Sequence, residues 1–140
     1  MSENFKQYKK LTEYYINSIH GLLDFADSIN IIPVKYSLFI KNIKNYIIEH
    51  KMEIIKNGLQ YILLYKVEIL NITLDNLKSK DNEDIINFFE NFEDIPDTFN
   101  IIFEILNNSK KLKKNNFDVI KEYMETIILI LEKMKEVLNN

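Results

Sequence analysis

Residues 117–138 read Phe-Asp-Val-Ile-Lys-Glu-Tyr-Met-Glu-Thr-Ile-Ile-Leu-Ile-Leu-Glu-Lys-Met-Lys-Glu-Val-Leu. Within them Phe117, Ile120, Met124, Ile127, Leu131, Met134 and Leu138 are spaced alternately three and four apart. That alternation keeps side chains on one side of a 3.6-residue helix, as an a/d seam does. It predicts a long C-terminal amphipathic helix over 117–138, about 33 Å in length. Burying seven such side chains contributes at most ~10–20 kcal/mol before entropy is subtracted. Leu129 falls on the opposite stripe with Asp118, Glu122, Glu125, Glu132 and Glu136. It is covered by another element or open to a partner.

The rest of the chain also reads as helix. Residues 2–29 carry Phe5, Tyr8, Tyr15, Ile19, Leu22 and Ala26 on one face, with Lys9, Glu13, His20, Asp24 and Asp27 on the other. Gly21 falls on the polar side, where it weakens or bends the helix by up to ~1 kcal/mol. Asn30-Ile31-Ile32-Pro33 is a break, since the residue before proline avoids the helical region and proline suits a first turn. A second region over 33–56 has Tyr36, Phe39, Ile40, Ile43, Ile47 and Ile54 as its apolar stripe. Asn57-Gly58 reads first as a C-cap and turn, second as an interruption inside a longer helix.

Residues 59–74 begin apolar on all sides, which predicts the most buried helix. A strand alternation through Tyr61, Leu63, Tyr65, Val67 and Ile69 is the lesser reading, because the run is too long for a strand. Ser79 to Asn82 is a loop. Asp81 caps a short helix with Ile85, Ile86, Phe88, Phe89 and Phe92. After Pro96 comes a helix with Phe99, Ile102, Phe103 and Leu106, and then a polar loop over 107–116. The expected fold class is all-α: a single domain, a compact bundle of about five to seven helices around an apolar central helix (59–74), with the long C-terminal helix (117–138) along it.

Composition bounds function. The 140 residues hold 24 Ile, 18 Asn and 18 Lys, with no Arg, Trp or Cys. Those three abundant residues use A/T-rich codons, so the bias reflects a genome before it reflects a task. The absence of Cys counts against a disulfide scaffold and a zinc-thiolate site. No apolar run exceeds five residues (Tyr61 to Tyr65, Ile127 to Leu131), against the roughly 20 a membrane helix needs. The opening residues show no signal peptide, so an intracellular protein is expected.

Net charge is −3, unevenly spread: +3 over 1–80, −8 over 81–109, +4 over 110–114 and −2 over 115–140. Lys110, Lys111, Lys113 and Lys114 form a possible polyanion contact. Without Arg the bidentate readers of base and phosphate are missing, so nucleic acid is not the expected partner. A solvated loop complementing the acidic stretch is expected instead. That stretch, Asp81 to Asp97, interleaves acids with Phe88 and Phe92. It reads as a core-facing amphipathic helix or as a docking surface for a basic partner.

Catalytic and cofactor signatures are missing. There is no P-loop, nucleophile elbow or glycine-rich dinucleotide turn, and two His with six Ser offer little for a hydroxyl nucleophile. His20 with Glu13, Asp24 and Asp27 has metal-ligand chemistry, as His50 with Glu53 has more weakly. The paired Glu-x-x-His of di-iron bundles is not there, and a solvent face is the expected reading. No cofactor and no enzymatic activity are expected.

The stretch Phe99-Asn100-Ile101-Ile102-Phe103-Glu104-Ile105-Leu106, the Lys/Asn loop and Phe117-Asp118-Val119-Ile120-Lys121-Glu122-Tyr123-Met124 resemble small all-helical proteins of large DNA viruses of the mimivirus type. The likeness covers about 40 residues and brings no function with it. It places the chain in a host cytoplasm or a virion. A second resemblance, through 59–74 as a central helix, is to viral apoptosis regulators of the B-cell-lymphoma type. The Asn-Trp-Gly-Arg signature of their cellular members is absent. The leading expectation is a non-enzymatic interaction or structural protein that self-associates, with Leu129, Glu125, Glu132, Phe88 and Phe92 as a possible surface. The alternative is a monomer that binds a partner helix in a groove.

Overall fold

The computed structural model describes residues 3–79, 104–105 and 107–139. Among them every regular element is helical. In chain order they are α1 (Glu3–Ser28), a 3₁₀ turn (Val34–Tyr36), α2 (Ser37–Glu49), α3 (Lys51–Asn57), a π-helical turn (Gly58–Ile62), α4 (Lys66–Leu70), α5 (Leu74–Ser79) and α6 (Lys114–Asn139).

Two helices of 26 residues frame the molecule, α1 and α6. They run antiparallel: Gly21 lies against Tyr123, while Tyr15 and Leu131 meet at Gly58. Between them sits a core of Leu11, Tyr15 and Ile16 from α1 and Ile127, Ile130, Leu131 and Met134 from α6, closed by Ile47 and Ile55. Leu131 and Met134 are wholly buried, and no polar or charged residue is buried among the described residues. A second cluster, Ile31, Leu112 and Phe117, fills the end where α1 stops and α6 starts.

The end of α1 follows from its sequence. Asn30 takes the left-handed conformation (φ 62°), which asparagine tolerates better than branched residues. The Ile31 amide then donates to the Ala26 carbonyl and the Asn30 amide to that of Asp27, both at 3.1 Å. This is a Schellman cap with its apolar residue, Ile31, buried behind it. The amide of Asn108 donates to the Ile31 carbonyl at 2.8 Å and ties the approach to α6 to this corner.

The seam of α6 faces inward as its spacing predicts, with two differences. Leu138, in the last turn of α6, is exposed. Ile128 and Ile130 lie off the seam yet are buried, because α1 and the smaller helices flank α6 on two sides.

The expected central helix is not there. Residues 59–74 divide into the π turn, a bend at 63–65, α4 and a bend at 71–73. None of their side chains is buried; Leu59, Ile62 and Leu63 only lean on the core. The buried centre belongs to α6. The second break comes where Thr73 caps α5, its hydroxyl accepting from the Asn76 amide at 3.1 Å. The turn expected at Asn57-Gly58 is also overturned. Gly58 is right-handed helical (φ −61°, ψ −48°), and the chain continues into the π turn. Glycine is needed there because a Cβ would collide with the Tyr15 hydroxyl and lie 3.1 Å from Leu131 Cδ2.

Gly21 has a similar role that its place among polar residues concealed. A Cβ there would come 2.8 Å from Tyr123 Cε1. The missing side chain lets α6 approach α1.

Candidate interaction surface

Leu129 is 53% exposed at the middle of α6, although its neighbours Ile128 and Ile130 are buried. Asp118, Glu122, Glu125 and Glu136 are exposed along the same stripe. Glu132 is drawn aside to Lys66 of α4 at 3.0 Å. The outward face of α6 is therefore one leucine among carboxylates, with the exposed Lys133 one turn further on. Phe88 and Phe92, with the acidic stretch around them, lie outside the described residues.

Lys111, Lys113 and Lys114 are exposed and Lys110 is half-buried. Lys111 and Lys113 stand at the rim of a cleft of about 340 Å³ floored by Ile29, Ile31 and Leu112 and edged by Asn30, Asn108 and Asn116. A second groove, of about 430 Å³, lies between α1 and α6, lined by Tyr14, Asn17, Ser18, Gly21, Tyr123, Thr126 and Ile130. No charged side chain lines it.

The residues with metal-ligand chemistry do not gather: among the described residues no three carboxylates or imidazoles stand together. Asp24 binds Lys44 of α2 at 2.6 Å, while His20 Nε2 is buried without a hydrogen-bond partner. His50 stacks on Tyr46, ring centroids 4.0 Å apart, and shares a 3.0 Å hydrogen bond with the Tyr46 carbonyl. The Tyr46 hydroxyl donates to Glu53 at 3.1 Å. That carboxylate, first through the hydrogen bond and then through its charge, raises the tyrosine's pKa. His50 and Glu53 thus brace the junction of α2 and α3. Lys35 pairs with Glu104 at 2.9 Å, and the hydrogen bond from Lys35 holds the Glu104 carboxyl below its usual range.

The sequence reading missed a second exposed face. The expected stripe of the 33–56 region does point inward, Ile40 and Ile47 being buried. On the outer side Val34, Leu38 and Met52 are 79%, 71% and 68% exposed, with Ile48 at 49%. The signal was available: Leu38, Lys41, Asn45, Ile48 and Met52 are also spaced alternately three and four apart.

Among the described residues no helix is long and apolar enough to cross a membrane. No family model, curated protein or solved structure matches this chain.

Proposed function

We propose that this chain is a non-enzymatic interaction protein that self-associates, a building block of an assembly such as a viral one. The observation that supports this is the outward placement of large apolar side chains on helices whose inner faces are already satisfied. Val34, Leu38, Ile48 and Met52 face out from the α2–α3 region, and Leu129 from α6. Side chains of this kind lose contact with water only when a second molecule covers them.

Light scattering behind a sizing column, over a wide concentration range, tests the reading. A mass at or above twice 16.8 kDa supports it. A constant 16.8 kDa at millimolar protein overturns it. That outcome would favour a second reading, supported by the uncharged groove along Tyr14, Gly21, Tyr123 and Ile130: a monomer that holds a partner helix.

A further inference from the structure

The cleft of about 340 Å³ at the corner where α1 ends and α6 begins is assembled from residues far apart in sequence. The Asn108 amide, donating to the Ile31 carbonyl at 2.8 Å, pins its two sides together. The Ile31 amide is held by the Ala26 carbonyl at 3.1 Å, and the Leu112 amide by that of Ser109 at 3.2 Å. The side chains of Ile31 and Leu112 are buried and pack with Phe117. The cleft is therefore braced before any occupant arrives. Its volume falls at the small end of the roughly 300–1,000 Å³ of small-molecule sites.

The lining carries one sign of charge. Lys111 and Lys113 stand at the rim, and no acidic side chain is among the lining residues. The ion pairs among the described residues engage Lys35, Lys44 and Lys66 instead. Asn30 and Asn116 bring carboxamide N–H donors to the edge. Below them the floor is aliphatic, and no aromatic ring lines it. This combination discriminates between anions. Inorganic phosphate would meet the rim and leave the aliphatic floor in water. A nucleotide would find no ring on which its base could stack. An acid with an aliphatic body satisfies both parts: its carboxylate accepts from ammonium and carboxamide donors, and its chain takes the floor out of water.

We infer that this cleft binds a small aliphatic carboxylate, with the head group at Lys111 and Lys113 and the chain on Ile31 and Leu112. The site does not depend on self-association. The groove between α1 and α6 offers no counterpart, since no charged side chain lines it to hold a head group.

Octanoate, kept below its micelle concentration, is the probe. It is titrated into the isotopically labelled full chain and followed through the backbone amide shifts. Saturable shifts are expected at Ile31, Leu112 and Asn116, larger than any at Leu38 or Met52, whose exposed side chains would collect a fatty chain without selectivity. Octanol keeps the chain and lacks the charge, and should bind at least about tenfold more weakly. Inorganic phosphate keeps the charge and lacks the chain, and should also bind at least about tenfold more weakly. Asn116→Asp sets a like charge at the edge of the cleft and should weaken octanoate at least about tenfold. The melting temperature should hold, because an aspartate suits the first turn of a helix. Lys111→Gln with Lys113→Gln, both exposed, should weaken octanoate to a similar degree. Shifts spread evenly over the exposed apolar side chains overturn the site. So does octanol or phosphate binding as tightly as octanoate, or an Asn116→Asp chain that binds octanoate as well as the parent.

Discussion

Two five-residue apolar runs, Tyr61 to Tyr65 and Ile127 to Leu131, have opposite fates. In the second, every side chain but Leu129 is buried. In the first, Leu64 is 67% exposed and the others are only partly covered. The difference lies in whether the helix that carries them runs on unbroken. The run in α6 continues an alternating three-and-four seam through Phe117, Ile120 and Met124 before it and Met134 after it, so one face stays apolar over five turns. The run at 61–65 also continues, through Val67, Leu70, Leu74 and Leu77 at the same alternating spacing, but the helix that would carry this stripe breaks at 63–65 and again at 71–73. A continuous apolar face wins a place in the core, because each added turn extends contact with the same neighbour. A stripe cut by breaks in its helix does not.

The largest expected effect breaks the two runs apart energetically. Leu131→Ala should destabilise the fold by about 2–5 kcal/mol, as large-to-small changes at fully buried sites do. Leu64→Ala should stay within about 0.5 kcal/mol. Chemical denaturation measures both, and equal losses would sink the comparison.

A second effect sharpens what holds the residues before the first run against the second. Gly58→Ala in an exposed helix would gain up to ~1 kcal/mol. Here it should cost about 1–3 kcal/mol, since the new methyl meets Tyr15 and Leu131 in a packed site. Gly21→Ala should cost less, because the half-buried Tyr123 ring has room to swing away.

The third effect is a pH dependence set by Tyr15, which meets Leu131 at Gly58. Its hydroxyl donates to the Ile54 carbonyl at 3.2 Å, and burial pushes its pKa from 10.0 up to about 12. The folded state holds the phenol proton where the unfolded chain has lost it. Stability is therefore intact below pH 10 and falls as pH rises toward 12, by about 3 kcal/mol in all. Thermal melts across that range should show the loss in the parent chain, and Tyr15→Phe should flatten it at the cost of about 1 kcal/mol for the hydrogen bond. An unchanged slope in Tyr15→Phe would assign the effect elsewhere.

The smallest effect concerns the Lys66–Glu132 bridge that joins the two regions. Both partners are well solvated, so Lys66→Ala should cost less than about 1 kcal/mol. That difference should vanish in 1 M salt, where the Debye length is about 3 Å. A loss that persists in salt would mean the lysine stem, and not its charge, matters.

Much of the local structure was legible. The helix over 2–29, the break before Pro33, the inward stripe of Ile40 and Ile47 and the seam of α6 all follow from periodicity and proline chemistry. The Schellman cap at Asn30 and the Thr73 cap were present in the sequence as residue types, but their roles depend on where each helix stops. Of the expected surface, Leu129 and Glu125 are exposed, Glu132 is paired, and Phe88 and Phe92 lie outside the described residues. The Val34–Met52 face passed unnoticed because a second stripe on the same helices supplied an inward face and seemed to complete the account.

By itself, then, the sequence determined the all-helical character of the described residues, the long final helix and which side of it turns inward, because these depend on contacts within about four residues. Tertiary structure decided which apolar run became the centre, why Gly21 and Gly58 carry no side chain, and which apolar side chains stayed in water. Those outcomes depend on residues more than 30 positions apart meeting across a helix pair, a distance over which periodicity carries no information.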